Sequence, residues 1–492
     1  MTKQEATIKY ITENYLNHNR LRHDIVADKL QVRVAQNLGE EANRLLGERQ
    51  EYWREMTKHD INSIVCHCAQ EYDQNITSRE VMTALQSDLI PDVHPLREYI
   101  RSLPAWKPES GDWIDFVASQ VRVKNNGEDK IQQPKQLDPT TYSARNNTAR
   151  GEGDDLNDNN DNLRGNQLPA APEGNYLTAN TMSDPTESGA HGLTSNSSQS
   201  ERSKAEALWR ICFKKWFVAM VASWMKDEVV NHQVLVLIGR QGIYKTTWLE
   251  HLIPPHLRDY ACKLANSNDL NKDERMRIAE FGVISLDEID SMNNRELNQL
   301  KSIITASDVN ERAAYAYTKE RRIRLASFCA SGNRRDFLTD ITGNRRWLPF
   351  EVESIQNPFF TTLPYDLMYA QAWALAQDPM FSYWFELDEI EMLEQHNQHF
   401  RDESNEEQLL PILFDIPAEG RGEFMTTAQI SERLVTYGNI KKPMALSRLG
   451  MVLGTAGYKA TKRKIANTQT RGWIVYQRDT DEISSLRRIL KD

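Results

Sequence analysis

The stretch Val234 to Thr247 reads VLVLIGRQGIYKTT. Five consecutive aliphatic residues, Val234 to Ile238, suit a buried strand of a parallel sheet. The run stops at Gly239, crosses a short loop containing Gly242, and ends in Lys245-Thr246-Thr247 ahead of a predicted helix. That geometry cradles phosphate. Backbone N–H groups and the helix start face the anion, Lys245 reaches the β and γ oxygens, and Thr246 offers a hydroxyl to Mg²⁺. The usual spacing is G-x-x-x-x-G-K-[ST]. Gly239, Lys245 and Thr246 keep it, while Tyr244 stands where the second glycine belongs. Gly242 is therefore expected to supply the missing backbone freedom. The residues expected to touch nucleotide are Gly239, Gly242, Tyr244, Lys245, Thr246 and Thr247. A strand–turn–helix with a chance Lys-Thr is the competing reading of this loop taken alone.

Three further signals follow. VISLDE, Val283 to Glu288, is an apolar strand ending in two carboxylates about forty residues after Lys245. Asp287 at the strand tip can hold Mg²⁺ through water, and Glu288 can polarise an attacking water as general base; an ordinary strand followed by an acidic helix cap, Asp-Glu-Ile-Asp, is the alternative. LASFCASGN, Leu325 to Asn333, is another small apolar strand ending at an amide. Asn333 can hydrogen-bond the γ-phosphate or the water; a plain Gly-Asn turn is the alternative. TGNRRWLPF, Thr342 to Phe350, places Arg345 and Arg346 just beyond a turn. A guanidinium given to a neighbouring subunit's nucleotide neutralises transition-state charge; a surface pair bound to carboxylates is the alternative.

At 492 residues the chain is long enough for two or three domains. The formal net charge of −10 means that affinity for nucleic acid must come from local basic patches. Five cysteines, an odd number in mostly apolar context, read as reduced thiols of a cytoplasmic protein. Cys66-His67-Cys68 lacks the second ligand pair that a zinc site needs. The longest largely apolar stretch, Trp216 to Met225, is too short to span a membrane, so no membrane partner is expected.

Composition divides the chain. Residues 1–122 read as a helical amino-terminal domain, with Leu21 to Val32 as a hairpin, Asp60 or Ser63 capping one helix and Thr77 or Ser78 another. Residues 123–203 are rich in Asn, Asp, Ser, Gly and Pro and read as a disordered insertion. Residues 204–380 alternate strands and helices around the phosphate loop, which favours an α/β domain with a mainly parallel sheet. Their leading helix carries Leu208, Trp209, Cys212, Trp216, Met220 and Trp224 towards that core. Residues 381–408 form an acidic helical connector, and residues 409–492 a small terminal domain.

In that terminal domain two short amphipathic helices precede Lys459 to Arg478, which reads as a hairpin. Two helices and a β-wing suggest a winged-helix arrangement. No acidic residue occurs from Tyr437 to Arg478, while Lys459, Lys462, Arg463, Lys464 and Arg471 are all basic. That local excess is an electrostatic footprint for DNA, with subunit docking as the alternative.

The segments GRQGIYKTT, ISLDEID, CASGN and FLTDITGNRRWLPFEV, in this order within about 110 residues, resemble the virulence-associated protein E family. HPLREYIRSLPAW resembles the helical segment ahead of the motor in that family. The family looks like a branch of the superfamily 3 helicases, which have an AAA+-type P-loop ATPase core. The resemblance implies the phosphate and Mg²⁺ positions at Lys245 and Thr246, the metal and general-base positions at Asp287 and Glu288, a sensor at Asn333, and a finger at Arg345 or Arg346. It implies ATP and Mg²⁺ as cofactors, a homo-oligomeric ring expected to hold six subunits, and single-stranded or forked DNA as partner. Residues 311–324, ERAAYAYTKERRIR, then match the channel hairpin, with Lys319, Arg321 and Arg322 on the nucleic-acid backbone. A solvated basic hairpin or subunit contact is the alternative there. The expected function is an ATP-driven helicase or translocase in replication of a phage or mobile element. A nucleotide-gated oligomeric switch is the rival reading. No paired-carboxylate polymerase motif stands out before residue 122, so primer synthesis would need a separate primase.

Overall fold

The computed structural model describes residues 1–35, 51–124, 195–264, 272–311, 320–340, 344–417, 422–465 and 468–489. Most of the expected insertion, residues 125–194, lies outside the described residues. The helix Ser195–Met225 begins within the stretch assigned to it.

The amino-terminal region, expected to be helical with one hairpin, carries a four-stranded sheet beside its helices. Its strands are β1 (Leu21–Asp24), β2 (Lys29–Ala35), β3 (Glu51–Glu55) and β4 (Asp92–Val93), in the order β3-β2-β1-β4. The expected hairpin is present, with Leu21 paired to Val32. The helix Lys58–Tyr72 is capped by Thr57, and Asp60 closes the capping box from the third position. Thr77 caps the helix Ser78–Leu85 in the same way.

The strands that follow are β5 (Val121–Val123), β6 (Val234–Ile238), β7 (Ala261–Leu264), β8 (Val283–Leu286), the antiparallel pair β9 (Asp308–Glu311) and β10 (Glu320–Ile323), β11 (Ser327–Gly332) and β12 (Trp347–Ile355). Six form the central sheet, ordered β5-β12-β6-β11-β8-β7. From β12 to β7 all neighbours are parallel, and β5 closes the edge antiparallel to β12.

Strand periodicity divides the core between the sheet's two faces. Leu235 and Leu237 of β6 join one cluster, and Val234, Val236 and Ile238 join the other. The first face is covered by Ser195–Met225, whose Trp209, Cys212, Trp216, Met220 and Trp224 are buried as their spacing predicts, with Phe213 beside them. Their indoles are also anchored: Trp216 Nε1 donates to Phe328 O at 3.0 Å and Trp224 Nε1 to Gly282 O at 3.1 Å. Leu96, Tyr99, Ile114 and Val117 enter this same cluster. The helix Asn294–Thr305 contributes Leu297 and Leu300 to the other face.

The carboxy-terminal region has its own core, built on Leu410, Ile430, Leu434, Leu449, Trp473 and Val475. Helices Thr427–Gly438 and Leu446–Thr455 precede the hairpin of β15 (Lys459–Ile465) and β16 (Thr468–Gln477), with the short strands β13 (Phe414–Asp415) and β14 (Glu423–Met425) also paired to β16. Two helices and a two-stranded wing are therefore present. No helix among the described residues is long and apolar enough to cross a membrane.

Candidate functional site

The parallel strands β6, β11 and β8 lie side by side, and the loops at their carboxyl ends bring distant residues together. Gly239 ends β6 and packs closely on the neighbouring strand. A Cβ there would meet Val352 O at 2.9 Å. Two loop residues then take left-handed backbone: Gly242 with φ +85° and Tyr244 with φ +66°. The expectation that Gly242 replaces the missing glycine is thus incomplete, because Tyr244 itself adopts the conformation that glycine favours. Tyr244 is the residue from which helix Lys245–His251 starts.

Lys245 is buried and folds against its own loop. Its Nζ donates to Gly239 O and Arg240 O, each at 2.8 Å, and to Asn333 Oδ1 at 3.3 Å. Burial pulls its pKa below the ordinary lysine value, and the nearby Asp290 and Asp287 carboxylates oppose that pull. Thr246 Oγ1 donates to Asp287 Oδ1 at 3.2 Å and lies 2.9 Å from Ser331 Oγ. Ser331 Oγ donates to the same Asp287 oxygen at 2.7 Å, and Lys263 Nζ pairs with its Oδ2 at 2.8 Å. Burial pushes the Asp287 carboxyl up, but hydrogen bonds from Lys263, Ser331 and Thr246 hold it below its usual range. Asp287 is therefore held as the carboxylate. Thr247 occupies the same helix turn, and its carbonyl lies 2.7 Å from His251 Nδ1.

Glu288 has left-handed backbone at φ +53° and is exposed. Its carboxylate makes no hydrogen bond or ion pair among the described residues. Asn333 follows β11; its N–H donates to Asp290 Oδ1 at 3.0 Å while its amide oxygen receives Lys245. One turn thus joins the lysine, the amide and the acidic strand end. A magnesium ion bound with triphosphate typically takes one or two carboxylates and keeps phosphate and water oxygens. The Thr246 hydroxyl and the Asp287 carboxylate are the hard oxygen donors present for that role. No group of three or more His, Cys, Asp or Glu among the described residues can hold a metal alone.

Arg345 and Arg346 do not join this cluster. They end a short turn, Asn344–Arg346, ahead of Trp347, which pairs with Val234 at the opposite end of β6 from the phosphate loop. Strand rise puts that loop about 16 Å away. Lys319 lies outside the described residues. Arg321 is exposed and paired to Asp308 at 2.8 Å. Arg322 is largely covered, bound to Asp28 at 2.7 Å and to Glu280 at 3.5 Å, which ties the hairpin base to the amino-terminal sheet.

On the wing, Lys459, Lys462, Arg463, Lys464 and Arg471 are all exposed. Lys462 pairs directly opposite Arg471. The Arg463 guanidinium lies 5.2 Å from the Phe424 ring and that of Arg471 5.6 Å from Trp473. Arg448, on the preceding helix, donates to Thr339 O at 2.9 Å and docks the domain on the central one.

Lys263, Ser331 and Asp290 belong to the site and escape sequence reasoning. Ser331 had a usable signal, sitting on the strand that Asn333 follows, two residues before it. Lys263 had none, because β7 meets Asp287 only through the sheet order.

This is a mixed α/β protein whose central parallel sheet gathers a lysine, a threonine, two acids and an amide at the carboxyl ends of its inner strands. Residues 192–402 match the family model described as the virulence-associated protein E-like domain. No match was found among curated proteins. Among solved structures, the chain is similar to the apo structure of the NrS-1 C terminal region (305-718), at 10% identity and a TM-score of 0.40, covering 96% of this chain and 99% of that one. The A form apo structure of the same region gives 10% identity and a TM-score of 0.40, covering 95% and 99%.

Proposed function

We propose that this protein is a P-loop ATPase of AAA+ type that drives movement on DNA, or separation of its strands, during replication of a phage or mobile element. The observation that carries the reading is the meeting of Lys245, Thr246, Asp287 and Asn333 at the ends of three adjacent parallel strands. The order of those strands supports it, with the Asn333 strand between the phosphate-loop strand and the acidic strand. The match of residues 192–402 to the virulence-associated protein E-like domain supports the biological setting.

In this reading Lys245 leaves the Gly239 and Arg240 carbonyls for phosphate oxygens. Thr246 and Asp287 hold Mg²⁺, which supplies charge neutralisation at the triphosphate. Asn333 orients the γ-phosphate or the attacking water, and Glu288, exposed and uncommitted among the described residues, takes the water's proton. Arg345 or Arg346 serves a neighbouring subunit in a ring. The basic wing and the β9–β10 hairpin contact the DNA backbone.

The test is ATP turnover with and without single-stranded DNA in the wild type and in Lys245→Ala. Turnover is expected to rise with DNA and to vanish in the variant. Normal turnover in Lys245→Ala would refute the phosphate-loop assignment. A nucleotide-gated switch without strand separation is the second reading. The engagement of Arg322 by Asp28 and Glu280 favours it, because that cation is already neutralised. Turnover indifferent to DNA would select the switch.

A further inference from the structure

The loop that follows β12 returns alongside the phosphate loop. There it carries aromatic side chains that the core does not use. Phe359 is 68% exposed, Phe360 88% and Tyr244 39%. Phe359 meets Tyr244 edge to face, with centroids 6.4 Å apart, and meets His251 in the same way at 5.5 Å. It thus lies along the flank of the helix that begins at Lys245.

Asn357 organises the loop. Its Nδ2 donates to the Tyr244 hydroxyl at 3.4 Å, and its Oδ1 accepts from Phe359 N at 3.0 Å. Its carbonyl accepts from Phe360 N at 3.1 Å and Thr361 Oγ1 at 3.2 Å. The aromatic rings are therefore held by a built turn. Large apolar rings left in water beside a polar site mark a surface that something covers.

The occupant follows from continuity with the phosphate site. Tyr244 is the residue before Lys245, so a molecule whose phosphates lie at Lys245 has its remaining part within reach of this surface. For a nucleoside triphosphate that part is the base, a flat π-system that stacks on aromatic rings.

We propose that Phe359 is the platform on which the base of the bound nucleotide stacks, with the Tyr244 ring, 81° from it, closing against the edge of the base. The inference rests on the phosphate-loop reading above and names the part of the ligand that reading leaves unassigned. It also explains a tyrosine where glycine would relieve the backbone: the ring is retained for the base. The rings offer the base a π-face, and stacking on a π-face is tolerant of base identity. ATP and GTP are then bound with similar affinity, and pyrimidine triphosphates, with smaller rings, more weakly.

Calorimetry with ATP, GTP and inorganic tripolyphosphate, each with Mg²⁺, tests this in the full chain. Phe359→Ala is expected to weaken ATP and GTP about ten-fold and leave tripolyphosphate unchanged, while Phe359→Trp keeps wild-type affinity. Unchanged ATP affinity in Phe359→Ala overturns the platform. A parallel loss of tripolyphosphate also overturns it, because the side chain would then support the loop and not the base. Failure of the unsubstituted protein to bind either ATP or tripolyphosphate overturns the phosphate-loop reading itself.

Discussion

At position 244 a bulky residue holds left-handed backbone with φ +66°. For a residue with a Cβ that conformation costs about 1–2 kcal/mol. Glycine escapes the clash but raises the entropy of the unfolded chain. Tyr244→Gly also loses the edge-to-face contact with Phe359, about 0.5–1.5 kcal/mol, and the relief and the two losses nearly cancel, so its melting temperature is expected close to that of the wild type. Tyr244→Ala keeps the steric cost and loses the contact with Phe359, so it should be about 1 kcal/mol less stable than Tyr244→Gly. Thermal denaturation of the two variants side by side checks this. An alanine variant as stable as the glycine variant would show that the backbone at 244 is not left-handed. The departure from the usual motif was legible in the sequence, but its conformation was not. Sequence reasoning passed the freedom to Gly242, whereas the chain uses both positions. Asp290 is a second case: it reads as part of an acidic helix cap. Its structural role comes from Asn333 and Arg334, more than forty positions away, whose backbone N–H groups it accepts at 3.0 and 3.2 Å.

Among elements, the wing carries an internal conflict. Lys462 lies directly opposite Arg471 on the antiparallel pair β15 and β16. Like charges so placed destabilise a hairpin, and an opposite-charge pair contributes about 0.2–1 kcal/mol. A bound polyanion would resolve the repulsion, which fits the proposed DNA contact. Lys462→Glu is therefore expected to raise the thermal midpoint slightly while weakening DNA binding. The dependence of log affinity on log salt should become shallower by about one unit or less, the share of one phosphate contact. Fluorescence anisotropy across a salt series, together with a melt, measures both. Unaltered DNA affinity and salt slope would remove this face from the interface. The hairpin and its two helices were legible because period-two and helical patterns are local. The amino-terminal sheet was not, since β4 is two residues long and joins β1 across most of that region. The expected caps show the same limit at smaller scale: Asp60 is in the capping box, but one turn later than a cap would be.

At the scale of the whole molecule, the order of motifs along the chain foretold an α/β sheet without giving its strand order. That order decides which residues can meet. It brings the Asn333 strand between the other two and sends Arg345 and Arg346 to the far end of β6 from the chain's own phosphate loop. Strand rise alone separates them by about 16 Å. An arginine so placed reaches nucleotide only if another copy presents its loop to that edge, a head-to-tail contact of the kind that closes into rings. The proposed arrangement therefore predicts complementation. Lys245→Ala lacks a working phosphate loop but keeps both arginines. The double variant Arg345→Ala/Arg346→Ala keeps the loop but lacks the arginines. Each protein alone should assemble and hydrolyse ATP poorly. Mixed one to one, about a quarter of the junctions pair an intact loop with intact arginines, so turnover should recover to a similar fraction of wild type. ATPase rates of the separate and mixed proteins, with native mass measurement of the assemblies, provide the check. If subunits exchange and no turnover returns, the arginines act within their own chain or not at all. Full activity of the double variant by itself would show that neither guanidinium serves the reaction.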